Sequence, residues 1–143
     1  NTFWGTVVRM GIEKSLRDFG VKNITIQGEH IGHGIQKNKY GLTDTDIRVF
    51  NIYDNVRGRY FDHEEMFCIC SSLCLQTVPV LDSGFVLHGH TVDSLVALST
   101  GQSCLYNTKR EGIVIRPREE TTIDKYGRMS FKVISPEYLL LEE

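Results

Sequence analysis

No apolar run in the sequence approaches the roughly 20 residues that cross a bilayer, and the longest are short stretches such as Tyr138 to Leu141. A membrane-spanning helix is not expected. Charge of one sign is missing too: 16 Lys and Arg stand against 18 Asp and Glu, and a net charge of -2 gives no bulk attraction for a polyanion. Any such site must be local. The 4 cysteines do not make a disulfide framework, because Cys68, Cys70 and Cys74 crowd into one predicted helix, where only residues three or four apart meet. This points to a reducing, intracellular setting, whether cytoplasmic, nuclear or organellar. The opening Asn-Thr-Phe-Trp lacks the basic, apolar and cleavage regions of a signal peptide and reads as trimmed. Repeats, low-complexity runs and interdomain linkers are also missing. At 143 residues and 41% hydrophobic, the chain suits one globular domain and excludes disorder.

What is present is periodic. Val7, Val8, Ile12, Leu16 and Phe19 recur at helical spacing before Gly20, which predicts one amphipathic helix over Phe3 to Phe19 with Phe3 and Trp4 as core anchors. Ile24, Ile26 and Ile31, interrupted by Gly28, Gly32 and Gly34, predict a strand that runs into a loop continuing through Gly41. Alternation from Ile47 to Asp54, turn residues from Asn55 to Gly58, and then Arg59-Tyr60-Phe61 predict a β-hairpin. Asp62 is placed to cap a helix from His63 to Gln76, followed by an extended edge segment Val78 to Leu81. Thr91 or Asp93 caps a second helix that Gly101 stops. Strands are expected over Glu111 to Pro117 and Met129 to Ile134, with a polar turn at Lys125 to Arg128 and a last helical turn at Pro136. The order predicts an α+β fold of largely antiparallel sheets with flanking helices.

Two carboxylates, Glu29 and Glu111, fall where strands meet loops. Each could bind a ribose hydroxyl or, through water, a metal ion, but taken alone neither is a signal and each reads as a solvated strand end. In Glu111-Gly112-Ile113-Val114-Ile115-Arg116-Pro117, Arg116 shares a face with Val114 and needs an anionic partner or solvent. Lys132 repeats the situation in the buried-looking strand Ser130 to Ser135. Cations held on strands that converge on a cleft suit a phosphate. His63 with Cys68, Cys70 and Cys74 lacks the paired spacing of a zinc site, so these cysteines read as small buried hydrophobes. His88 and His90 read as part of a loop. Lys37, Lys39, Arg57 and Arg59 read either as phosphate contacts or as a solvated rim.

The same segments carry a family resemblance. Ile26-Gln27-Gly28-Glu29, Ile31 to Asn38, Val49-Phe50-Asn51-Ile52-Tyr53-Asp54, Glu111 to Pro117 and Ser130 to Ser135 resemble motifs III, IIIa, IV and V of the ATP-dependent RNA ligases, in family order. The resemblance implies a portion of a nucleotidyltransferase (adenylation) domain. In that family ATP adenylylates a motif I lysine, AMP passes to an RNA 5′-phosphate, and a 3′-hydroxyl displaces AMP to seal the strand, with Mg2+ or Mn2+. By position, Glu29 resembles the carboxylate near the ribose and Phe50 the aromatic that stacks on adenine. Glu111 resembles the metal-holding acid, Arg116 stands where many relatives carry lysine, and Lys132 resembles the first motif V lysine, which meets the ATP phosphates. Lys37 and Lys39 are the candidates for RNA.

Two departures qualify the resemblance. The second position of a Lys-x-Lys pair is Ile134, so the phosphate load falls on Lys132 with help from Arg116. No Lys-x-Asp-Gly precedes Ile26, and Lys109-Arg110-Glu111-Gly112 fits a Lys-x-x-Gly only by letters already used in motif IV. The chain therefore reads as the C-terminal portion, residues 1–143, of a single such domain, without the nucleophile. A non-catalytic nucleotide- or RNA-binding module, and a fragment of a DNA ligase or capping-type enzyme, stay open as alternatives.

Overall fold

The fold is that of a computed structural model describing residues 2–141. They divide into two compact units, residues 2–78 with 118–120, and 79–117 with 121–141.

In the first unit β1 (Ile24–Gly32) pairs antiparallel with β2 (Thr45–Asp54) along its whole length. β2 also pairs antiparallel with β3 (Arg59–Tyr60) and in parallel with β4 (Gln76–Thr77). The register of β1 and β2 slips once, between Gln27↔Asn51 and Gly28↔Val49, which leaves Phe50 as an extra residue. Simple alternation over 47–54 would put Ile52 on one face of the sheet and Ile47 and Val49 on the other. The bulge resets the alternation. All three then enter one core with Ile12, Cys70, Leu73 and Leu75, and Val49 is fully buried.

The hairpin predicted from Asn55 to Gly58 is present. The buried Asp54 accepts the N–H groups of Val56 (2.9 Å) and Arg57 (3.0 Å) and turns the chain toward β3. Those N–H groups, chiefly that of Arg57, hold the Asp54 carboxyl below its ordinary range, against the opposing pull of desolvation.

The single predicted N-terminal helix is two: α1 (Phe3–Arg9) and α2 (Ile12–Asp18), broken at Gly11 in the left-handed region (φ 65°). The break turns Ile12 into the core, while α1 faces the sheet with Thr6, which is buried. The Thr6 hydroxyl lies 2.7 Å from Thr45 Oγ1 and 2.8 Å from His30 Nε2. Phe3 and Trp4 are therefore not core anchors; Trp4 is 62% exposed, and Val8 and Phe19 are exposed with it.

α3 (His63–Ser72) starts where expected, with a capping box in which Glu65 Oε2 accepts the Asp62 N–H at 2.9 Å. It ends before Gln76, because Cys74 takes a left-handed conformation (φ 55°) and Leu73 and Leu75 turn into the core. The extended segment thus begins earlier than predicted, at β4. Asp62 Oδ1 also accepts the N–H of Glu120 (2.6 Å), and Arg118 pairs with Glu64, so the 118–120 segment is strapped to the start of α3. Of the cysteines only Cys70 in this helix is a buried hydrophobe, its thiol pushed up to about 11 by burial; Cys68 and Cys74 are exposed.

The second unit contains α4 (Val92–Ser99), capped by Thr91 and Ser94, the antiparallel pair β5 (Gly112–Ile115) and β8 (Phe131–Ile134), the hairpin β6 (Thr122–Ile123) and β7 (Gly127–Arg128), and α5 (Pro136–Leu139). The predicted turn at 125–128 is the tip and return of that hairpin. β8 is not the buried strand its composition suggested. Among the described residues β5 and β8 pair only with each other, and Val114, Phe131, Lys132 and Ile134 are exposed. No helix of the described residues is long and apolar enough to cross a membrane.

Two substitutions test the first unit. A Cβ at Gly28 would lie 2.9 Å from the Arg48 carbonyl oxygen and from Ile47 Cγ2, opposite the bulge. Gly28→Ala is expected to destabilise by about 1–3 kcal/mol in urea unfolding, outweighing the about 0.4–1 kcal/mol gained from a stiffer unfolded chain. The depressed Asp54 carboxyl stabilises fully above its unfolded pKa of about 4, and the contribution is lost as pH falls through the lower native value. Asp54→Asn should flatten that part of the acid dependence when melting temperature is followed from neutral pH down to about 2.

Candidate functional site

The bulge decides what the sheet of the first unit presents. On the face away from the core, the register aligns Gln27 with Asn51 and Glu29 with Arg48. Asn51 is buried and donates from Nδ2 to Gln27 Oε1 at 2.8 Å, while Arg48 Nε lies 2.9 Å from Asp46 Oδ2. Glu29 is thus a half-buried carboxylate on a polar row of a rigid strand. Phe50, half-buried, is the bulged residue itself, the extra residue between Val49 and Asn51 and outside the strict alternation of the ladder.

The loop after β1 is tightly wound. Gln36, Lys37 and Asn38 all have positive φ (43°, 59° and 52°), and the Asn38 side chain closes the loop by donating to the Leu42 carbonyl (2.9 Å) and accepting its N–H (3.0 Å). Lys37 is exposed on this turn, and Lys39 follows it, half-buried. The other two cations of the predicted rim brace the fold: Arg57 lies 3.7 Å from Asp54, and Arg59 pairs with Glu65 at 3.1 Å.

In the second unit the structure brings Glu111 and Lys132 together. Lys132 Nζ lies 2.5 Å from Glu111 Oε1, and both side chains are about half exposed. Lys132 sits opposite Val114 in the register, and one step on Arg116 Nε donates to Ser130 Oγ at 3.0 Å. Two cations therefore share one face of the β5–β8 pair with an acid at its edge.

The position of Glu111 is set by its neighbours. Arg110 donates to three carbonyls at the end of α4, those of Leu98, Ser99 (3.0 Å) and Thr100 (3.0 Å). The Glu111 carbonyl accepts the N–H of the buried Ser135 at 2.8 Å, and Lys109 pairs with Glu137 at 2.6 Å. Gly112 is required by contact, since a Cβ there would stand 2.1 Å from the Val133 carbonyl oxygen. Arg110, Ser130, Gln27 and Asn51 were given no role from sequence. Arg110 was visible only as a letter between Lys109 and Glu111; nothing in its spacing pointed to α4.

The remaining candidates are structural. His90 Nδ1 lies 3.1 Å from Ser94 Oγ at the cap of α4, and its ring packs against Phe85. His63 packs against Phe67. Among the described residues no group of three or more His, Cys, Asp or Glu is placed to hold a metal by protein ligands alone.

Comparison with known proteins gives the class. The sequence model of the RNA ligase family matches residues 1–134. The chain belongs to the RNA ligase family. Among solved structures, a lysine-to-methionine variant of Naegleria gruberi RNA ligase with AMP and Mn is 31% identical, with a TM-score of 0.82 over 96% of this chain and 40% of that one. A lysine-to-alanine variant with ATP and Mn is 30% identical (TM-score 0.83, 96% and 39%), and the enzyme with PPi is 30% identical (TM-score 0.81, 96% and 40%). The chain thus spans about 40% of the length of these ligases. No curated protein sequence matches it. The α+β class is that of an RNA ligase nucleotidyltransferase-domain fragment, and relatives solved with ATP or AMP and Mn accord with ATP and a divalent metal as cofactors.

Proposed function

We propose that residues 1–143 are the C-terminal portion of a single nucleotidyltransferase domain of an ATP-dependent RNA ligase, which seals RNA 5′-phosphate and 3′-hydroxyl ends through lysyl-AMP and RNA-adenylate intermediates. The observation that carries this reading is the acid and two cations on the β5–β8 pair, Glu111, Lys132 and Arg116, held by strands and by the Arg110 clamp. Charge builds on the phosphates as pyrophosphate leaves, and cations already in place stabilise it without reorganisation. Lys132 is the phosphate contact in this reading, with Arg116 oriented beside it by Ser130.

On the first unit, Glu29 offers a carboxylate to ribose hydroxyls. Phe50 offers a strand-held aromatic face to adenine. The winding of 36–38 holds Lys37 out to solvent next to Lys39, and these are the residues we assign to RNA, the ends of nicked or broken strands.

The donor chemistry fits a divalent ion. One exposed carboxylate, Glu111, suits Mg2+ or Mn2+, hard ions that keep several waters and take further oxygens from substrate phosphates. When bound, the ion would neutralise phosphate charge. The chain's own residues bind and orient; the nucleophilic lysine, a motif I residue, is not among them. The fragment is accordingly inactive alone and joins the rest of the same domain. The setting assigned to this reading is a reducing, intracellular one.

Incubation with labelled ATP and Mg2+, followed by a denaturing gel, should show no covalent AMP on this chain; a labelled band would overturn the assignment of the nucleophile. Phe50→Ala should weaken ATP binding, measured by equilibrium dialysis, by about 1–3 kcal/mol, or about 5- to 150-fold in Kd. An unchanged Kd would remove Phe50 from the base site.

A further inference from the structure

Glu111 and Lys132 are assigned to ligands of opposite charge, yet in the structure they hold each other. The bond is charge-assisted and direct, 2.5 Å from Nζ to Oε1. While it is made, an ammonium stands against the oxygen that a dication would take, and one ammonium donor is turned from phosphate to carboxylate. We propose that this ion pair is a latch that couples the two contacts: moving Lys132 onto a phosphate releases Glu111 for a divalent cation, and a cation on Glu111 releases Lys132 for phosphate. The inference rests on the phosphate and metal roles proposed above for the two residues.

The surroundings confine the change to the side chains. The backbone of Glu111 is held by the Ser135 N–H and by the three-carbonyl clamp of the adjacent Arg110, and that of Lys132 by its register opposite Val114. Opening the latch needs only χ rotations, and both side chains are exposed enough for water to solvate them once parted. The same exposure limits its strength. Solvent-exposed pairs are weak, so each partner should reduce the other's ligand affinity by about two- to five-fold.

A latch makes a prediction opposite in sign to simple loss of a ligand contact. Removing one partner should tighten binding of the other's ligand. In calorimetric titration of the 143-residue chain with Mn2+ alone, Lys132→Met should bind about two- to five-fold more tightly than the parent. In equilibrium dialysis with ATP and excess EDTA, Glu111→Gln should show a similar gain for metal-free ATP. Lys125→Met removes the same charge from the 124–127 turn and should change neither affinity; an equal gain there would mean bulk electrostatics and overturn the latch. If Glu111→Gln abolishes Mn2+ binding while Lys132→Met gains nothing, the latch fails and the metal role stands. If Glu111→Gln binds Mn2+ as well as the parent does, the metal role fails and the latch with it.

Discussion

One extra residue in β2 sets the arrangement of the first unit. Pairing in a sheet allows only two faces, and the apolar residues of this strand fall on both odd and even positions: Ile47 and Val49 against Ile52. A regular strand would bury one set and leave the other in a polar row. With Phe50 bulged, all three pack with α2, α3 and the turn after it, and the opposite face keeps Gln27, Glu29, Arg48 and Asn51 together. Core and candidate site are therefore two outcomes of one irregularity. Gly28 takes part from the facing strand, because the close approach of Ile47 and the Arg48 carbonyl leaves no room for a side chain.

The second unit reaches rigidity by other means. Its best-buried side chains include Ser99 and Ser135 rather than large hydrocarbons, and its ordering comes from polar ties: Arg110 on the end of α4, Ser135 on Glu111, Lys109 on Glu137. Such ties are directional, and they place a backbone more tightly than non-directional apolar packing does. A short strand pair with exposed apolar residues can thus still present Glu111, Arg116 and Lys132 in a defined order.

Local chemistry was legible in the sequence. The Asp62 and Thr91 caps, the Asn55 to Gly58 turn and the Pro136 start depend on residues within a few positions of one another, and the structure has them where they were read. Family motifs supplied the fold class and family in the same way. What escaped was set by distant partners. The bulge depends on what β1 offers across the ladder, and the break at Gly11 on how Ile12 and Thr6 meet the sheet. The exposure of Lys132 depends on how many strands flank β8, not on its own composition. The Arg110 clamp joins residues ten or more apart through a loop with no periodicity to read.

The glycine after Glu111 has a bearing on how motifs are recognised. Because β8 passes so close, the glycine of the Glu-Gly dipeptide is fixed by steric exclusion alone, independently of whatever the proposed chemistry asks of the first letter. A chain could lose the acid and keep the glycine indefinitely, since only the fold enforces it. Divergent copies of this scaffold would then still display half of the signature after the reaction had gone, and a pattern search weighted toward the glycine would count them as enzymes.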